Sequence, residues 1–329
     1  MNKTVRYLFD KDYMADPAVH VFGDRLYIYP SHDRESGIAE NDNGDHFDMK
    51  DYHVLSMDDV MNGEVTDHGV VLSTDDIAWA GRQLWDCDVA EKNGHYYMYF
   101  PMKDRTDIFR IGVAVADRPE GPFTPMPAPI HGSYSIDPAV FRDDDGTHYI
   151  YFGGIWGGQL QRYRDNKALE CACLPEGNEQ AICPRVARLS DDMLQFAENP
   201  RAAVITDEKG NPLTASNPHR FFEASWMHKY RGKYYLSYST GDTHLICYAT
   251  GDSPYGPFTF RGIILTPVVG WTTHHSIVEH HGHWYLFHHD CVPSGGKTWL
   301  RSLKVCELEY DNEGNIITIE GSLTGGQQG

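Results

Sequence analysis

No apolar run in the 329 residues approaches a membrane-spanning length, and the N-terminal MNKTVRYLFD has no apolar segment of the secretory type. The chain as given is therefore expected to be cytoplasmic, with secretion behind a trimmed signal peptide left open. Basic residues are scarce: 28 Lys and Arg stand against 47 Asp and Glu, a net charge of −19. This argues against nucleic acid and anionic membrane as partners, since both need basic patches. A soluble enzyme for a neutral or cationic substrate fits the balance, and so does solubility alone. Neither HExxH nor a Cys/His zinc spacing occurs. The seven cysteines are scattered and odd in number. Cys171 and Cys173 lack CxxC spacing and stand too close for a relaxed mutual disulfide, so free thiols are expected. No Ser- or Pro-rich linker, charge block or amphipathic helix pattern divides the chain. One unit over 1–329 is expected, with about 321–329, rich in Gly and Gln, as a disordered tail.

Aromatic strands are abundant. Five times a Gly-containing turn runs into one: Gly23 before DRLYIY, Gly94 before HYYMYF, Gly146 before THYIYF, Gly232 before KYYLSY and Gly282 before HWYLFH. Each run alternates with period two, as a half-buried strand does. The glycines are 71, 52, 86 and 50 residues apart, enough for about four strands with loops, which is one propeller blade. The expected fold is all-β, a five-bladed β-propeller. Its blades are placed at about 13–75, 80–130, 134–215, 219–262 and 270–320. A second repeat supports this division: VAVADRPEGPFTP in blade two matches YATGDSPYGPFTF in blade four. Most aromatics are core material, and the surplus can stack on the apolar faces of sugars.

Three acids stand just ahead of these units. Asp16 lies in YMADPAVHVF and Asp137 in YSIDPAVFRD, so D-P-A-V occurs twice in phase with the repeat. Glu223 lies in RFFEASWMHKY, again one strand before a Gly turn. Equivalent blade positions project toward one axis, so the three should share a central pocket. Phe221, Phe222 and Trp226 would desolvate Glu223 and raise its pKa, which suits a general acid. Glycosidic cleavage needs such a pair, one group to protonate the leaving oxygen and one to activate water or attack the sugar. A turn-forming role for an Asp-Pro explains one such segment more readily than two in register.

On these segments the chain resembles glycoside hydrolase family 43, from Tyr13 to about Ile317. The resemblance implies that Asp16 is the general base, Asp137 modulates pKa and orients substrate, and Glu223 is the general acid. It implies inverting single displacement, for which acid and base stand roughly 6.5–9.5 Å apart. Retaining sucrose- and fructan-cleaving propellers are the weaker match, because the middle segment reads SIDP and Ala follows the Glu. The family often shows W-A-P-D in blade two. Here Trp85-Asp86-Cys87-Asp88 places Asp88 at the motif's last position and leaves Asp86 as an extra acid.

Eighteen His is high, and several cluster: 274–275, 280–281–283 and 288–289. THHSIV resembles the family's axial G-H-x-S segment, which implies that His274 helps hold a calcium ion among waters. Hard Ca²⁺ prefers oxygen, so one His implies a modest role. His280, His281 and His283 sit at a turn and are expected to be exposed. Arg301, bracketed by Leu300 and Leu303, matches the family's last-blade Arg that approaches the substrate. Trp79, Trp85, Trp156, Trp226 and Trp271 are platform candidates, at most two of them acting. Trp85, Trp226 and Asp33, the last in the loop SHDRESG, are assigned to substrate with Arg301.

The expected activity is exo-acting inverting hydrolysis of terminal pentoses from xylo- or arabino-oligosaccharides. β-D-xylosidase is preferred, with α-L-arabinofuranosidase as a second or main activity. An open groove would instead favour an arabinanase. A non-catalytic carbohydrate-binding propeller would keep the aromatics without needing three axial carboxylates, and a WD40-type scaffold lacks its signature. Oligomeric state is left open.

Overall fold

Each Gly-turn-aromatic unit forms the first hairpin of a blade. A computed structural model describes residues 4–166, 169 and 173–321 and arranges them in five sheets of four or five strands. Gly23, Gly94, Gly146, Gly232 and Gly282 all have φ between +67° and +84°. No atom lies within 4 Å of where a Cβ would stand at any of them. The backbone, not space, therefore demands glycine there.

The innermost strands are Met14–Phe22, Asp88–Lys92, Ala139–Arg142, Glu223–Tyr230 and His275–His280. Each adjoins the next, and the last returns to the first, so the sheets close into a five-bladed propeller. Among the described residues the only helical turns are short 3₁₀ segments. The core lies between blades: Val19, Ile28 and Leu55 of blade one pack with Phe287, Leu303 and Val305 of blade five.

The repeated aromatics also join blades. Tyr29 of blade one donates to Pro119 O (2.8 Å), Tyr99 of blade two to Met193 O (2.8 Å) and Tyr151 of blade three to Pro254 O (2.5 Å). Each ring is buried, and its hydroxyl satisfies a carbonyl of the following blade. In blade five the matching residue is Phe287, which has no hydroxyl. There Val5–Tyr7 pairs antiparallel with Ser302–Leu308 and supplies the outer strand. Tyr7 Oη lies 3.0 Å from Asp290, itself 2.8 Å from Lys304.

Two boundaries differ from the sequence-based division. Val5–Tyr7 belongs to the last blade, because that sheet's outer edge would otherwise be unpaired. Ile205–Thr206, assigned to blade three, pairs parallel with Phe258–Leu265 of blade four. Residues 322–329 of the expected tail lie outside the described residues. Cys87, Cys183, Cys247 and Cys291 are free and buried and Cys306 is buried, whereas Cys173 is disulfide-bonded, contrary to the expectation of free thiols throughout.

Candidate active site

All five innermost strands begin at the same end of the axis, opposite the glycine turns. At or just before each entry stands one ionisable side chain: Asp16, Asp86, Asp137, Glu223 and His274, seven to nine residues ahead of the glycine. The five line one pocket of about 340 Å³. Regular strands would alternate these side chains away from the axis, and local irregularities prevent it. The ladder shifts register between Ala15 and Ala18 and between Glu223 and Trp226. Asp16 (φ 48°), Asp137 (φ 56°) and Ala224 (φ 60°) occupy the left-handed region. Bulges and strained residues of this kind re-aim side chains beside functional sites.

The charges are arranged around Arg301, which is 3% exposed. Its Nε and Nη2 make a bidentate pair with Asp33 (2.9 and 2.8 Å), and its Nη1 donates to Asp16 Oδ1 (2.7 Å). Burial pushes the Asp16 carboxyl up most strongly, but the Arg301 guanidinium and smaller contributions from its other polar neighbours together outweigh it and hold the pKa at about 2. His289 steadies the same residue: its Nδ1 accepts the Asp16 backbone N–H (3.2 Å), while its Nε2 lies 3.1 Å from Thr272 O. Burial, with Arg301 nearby, lowers His289 to about 3, so the ring is neutral at pH 7.

The other carboxyls are pushed the opposite way. Burial, then repulsion from Asp137 and Asp16, raises Glu223 well above the usual carboxyl range. Glu223 is enclosed by protein yet keeps a partly exposed edge on the pocket. Asp137 is raised by burial and by Asp86, to which it is hydrogen-bonded, and its Oδ2 accepts the Ala224 N–H (2.7 Å). Burial, together with the charges of Asp16 and Glu223, lifts Asp86 to about 8. One carboxylate is thus held ionised while its neighbours retain protons. That separation is the electrostatic condition for an acid and a base in one site.

The structure brings Asp16, Asp137, Glu223, Arg301, Trp85 and His274 into the pocket wall. It removes two expected substrate contacts. Asp33 is 2% exposed and lies behind Arg301, accepting from its backbone N–H (2.8 Å) as well as its side chain. It anchors the guanidinium instead of meeting a sugar. Trp226 points down the axis, with its ring 5.4 Å from His20 and its Nε1 donating to Ile277 O (3.0 Å). The bulge after Glu223 places the two residues on different levels.

In blade two Asp86, not Asp88, enters the pocket. Asp88 instead bonds His20 Nε2 and Val140 N (2.5 Å each), joining blades one, two and three. Asp88 is only six residues ahead of Gly94, against eight for Asp86, so counting back from the turn could have identified the right one. His289 was hidden in a His-rich run with no distinguishing neighbour. Of the turn histidines, His281 and His283 are exposed but His280 is buried.

Aromatics and loops shape the rim. Trp156, Phe222 and Trp271 cluster with centroids 5.3–5.7 Å apart. Trp79 instead stacks on Phe100 (5.9 Å) within blade two. The blade-one loop reaches across to blade three, where a Cβ on Gly157 would stand 2.8 Å from Asn43 O. Arg82 ties that loop to blade two through Asp45 (2.6 Å), and Glu35 ties it to blade five through Trp299 (3.1 Å). These contacts build part of the pocket wall from blade five round to blade three.

Asp86, Asp137 and His274 offer ligand atoms within 4.8 Å of one another. His274 Nε2 stands 3.3 Å from Asp86, and neither ring nitrogen has a hydrogen-bond partner. Two carboxyls sharing a proton beside an unsatisfied imidazole fit a divalent cation, and the oxygen-rich set suits a hard one.

The two tryptophans should separate in kinetics. Trp85→Ala is expected to raise KM for a pentosyl substrate roughly tenfold by removing a wall aromatic. Trp226→Phe should leave KM unchanged and lower the melting temperature by about 1–2 °C through the unpaired Ile277 carbonyl. A higher KM for Trp226→Phe would return that residue to the substrate site.

Comparison with known proteins bears on the same residues. The profile described as "Glycosyl hydrolases family 43" matches residues 11–316. A "Xylosidase/arabinosidase" of Bacteroides ovatus is 77% identical over 322 residues, 98% of this chain and 99% of its own. A "Beta-xylosidase" of Xylanibacter ruminicola is 65% identical, covering 96% and 99% of the two chains. The solved RS223-Beta-xylosidase is 74% identical with a TM-score of 0.95, covering 96% and 98%. CoXyl43, a beta-xylosidase/alpha-arabinofuranosidase from a compost microbial metagenome, was solved with xylotriose in a calcium-free form. It is 60% identical with a TM-score of 0.94, and 98% of each chain is covered. The chain belongs to glycoside hydrolase family 43 and is a glycosidase.

Proposed function

We propose that this glycosidase removes terminal pentoses from xylo-oligosaccharides, acting chiefly as a β-D-xylosidase and secondarily as an α-L-arabinofuranosidase. One observation carries the mechanism: the Arg301 guanidinium donates to Asp16 Oδ1 (2.7 Å) and favours its ionised form, while burial and like charges favour the protonated form of Glu223. Asp16 takes a proton from a water as that water attacks the anomeric carbon. Glu223 gives its proton to the departing glycosidic oxygen, so charge balances across one displacement with inversion. Asp137, fixed to the Ala224 N–H, repels ionisation of Glu223 and holds the backbone that carries it. Arg301 also lines the pocket, where a sugar hydroxyl would meet it. The walled pocket supports exo action. The relatives named for xylosidase and arabinosidase activity, and those solved with xylotriose or xylose, support the sugar class.

We further propose that His274, with Asp86 and Asp137, holds a calcium ion. When bound, such an ion supplies positive charge at the floor of the site. The unpartnered His274 nitrogens support this reading, as does the description of CoXyl43 as a calcium-free form.

Wild type and Glu223→Gln should be compared on p-nitrophenyl β-D-xyloside, the matching α-L-arabinofuranoside and xylobiose. Wild type is expected to prefer the xyloside. Glu223→Gln should lose roughly 10²–10⁴-fold in kcat on xylobiose, and less on nitrophenyl sugars, whose leaving group needs little protonation. In wild type, kcat/KM should fall as pH rises through the elevated Glu223 pKa, and the variant should lose that alkaline limb. Equal rates for both proteins on xylobiose would remove Glu223 as the acid.

Chelation followed by gel filtration should lower kcat/KM for the xyloside, and added Ca²⁺ should restore it. His274→Ala should be slow and indifferent to both treatments. A wild type unaffected by chelation would contradict the ion.

A further inference from the structure

A second histidine cluster lies on blade one, away from the axial cation site. His32 ends the strand Arg25–His32, and Asp51 and His53 belong to the neighbouring strand Asp51–Met57. One ligand atom from each lies within 4.8 Å of the others. The two imidazoles are in edge contact, with centroids 4.6 Å apart. His32 Nδ1 stands 2.5 Å from Asp51 Oδ1. We propose that His32, His53 and Asp51 form a second metal site, for a divalent transition ion of the zinc class.

Three features beyond proximity support it. Two imidazoles and a carboxylate form a ligand set that zinc accepts, with water completing the shell. Calcium, which prefers oxygen, would not choose it. Each imidazole is also oriented by a further carboxylate. His32 Nε2 lies 3.0 Å from Asp12 Oδ2, and His53 Nδ1 lies 2.9 Å from Asp67 Oδ1. Carboxylates behind ligating imidazoles fix the ring and strengthen its donor nitrogen. Binding would displace the proton that His32 Nδ1 shares with Asp51, leaving Nδ1 of His32 and Nε2 of His53 to ligate. Finally, the ligands belong to adjacent strands of one sheet and are partly buried, so little ordering remains to be done on binding. The comparable group Asp24, His280 and His281 lacks this support, with Asp24 and His281 side chains 89% and 57% exposed.

The site's position gives it a consequence. His32 is followed directly by Asp33, the anchor of Arg301. An ion there would tie two neighbouring strands of blade one together beside the anchor of the guanidinium that pairs with Asp16.

The test uses metal-stripped full-length protein titrated calorimetrically with Zn²⁺ alone, in a His274→Gln background that removes the axial imidazole. His274→Gln should bind one Zn²⁺, and its melting temperature should rise by about 4 °C at free Zn²⁺ a hundred times Kd. His53→Gln added to that background should abolish both effects while circular dichroism stays unchanged. Asp51→Asn provides a second variant with the same expectation. The proposal is overturned if His274→Gln binds no Zn²⁺, or if it binds equally with His53 or Asp51 replaced.

Discussion

Arg301 sets the chemistry of the pocket. A guanidinium buried among carboxylates stays charged, and Asp33 fixes its plane with two parallel hydrogen bonds. Its remaining arm reaches Asp16 alone among the pocket acids. That contact is the largest of the contributions that favour an ionised Asp16. Without it, Asp16 would be one more buried acid, pushed up like Glu223 and Asp137. Breaking such a buried pair from one side costs about 3–5 kcal/mol, because the remaining charge is left uncompensated. Asp33 therefore matters to the reaction although it lines no part of the pocket.

The propeller makes this arrangement possible by converging five strands on one axis. Each strand delivers one ionisable residue, and the glycine turns at the far end set the distance at which it arrives. The cost is local strain, with Asp16 and Asp137 in left-handed backbone and bulges in two of the five strands. Neutral His289 supports the first of these through the Asp16 amide. The Asp137–Ala224 hydrogen bond supports the third and fourth blades together. The four axial acids and one unsatisfied imidazole also leave room for positive charge, and a cation between Asp86, Asp137 and His274 would supply it.

Much of this was readable in the residues. The glycine-aromatic repeat carried the blade count, since a left-handed turn followed by alternating aromatics has few other structural meanings. The paired D-P-A-V segments placed Asp16 and Asp137 together for the same reason. What could not be read depends on departures from regular geometry. The bulge after Glu223 sends Trp226 away from the pocket, although strand alternation and sequence proximity both suggested otherwise. Asp33 looked like a loop acid because its partner, Arg301, is 268 residues away. Asp86 lost to Asp88 because motif matching ignored the distance to Gly94. The outer strand Val5–Tyr7 joins the two ends of the chain, a pairing no local pattern announces.

The central claim is that ionised Asp16 activates a water while protonated Glu223 releases the leaving sugar, in one displacement. Proton NMR of the first turnovers on a β-D-xyloside tests it most directly, before mutarotation mixes the anomers. The account predicts that α-xylose appears first and β-xylose only later. Initial release of β-xylose would mean retention of configuration, and would contradict the role of Asp16 as the base.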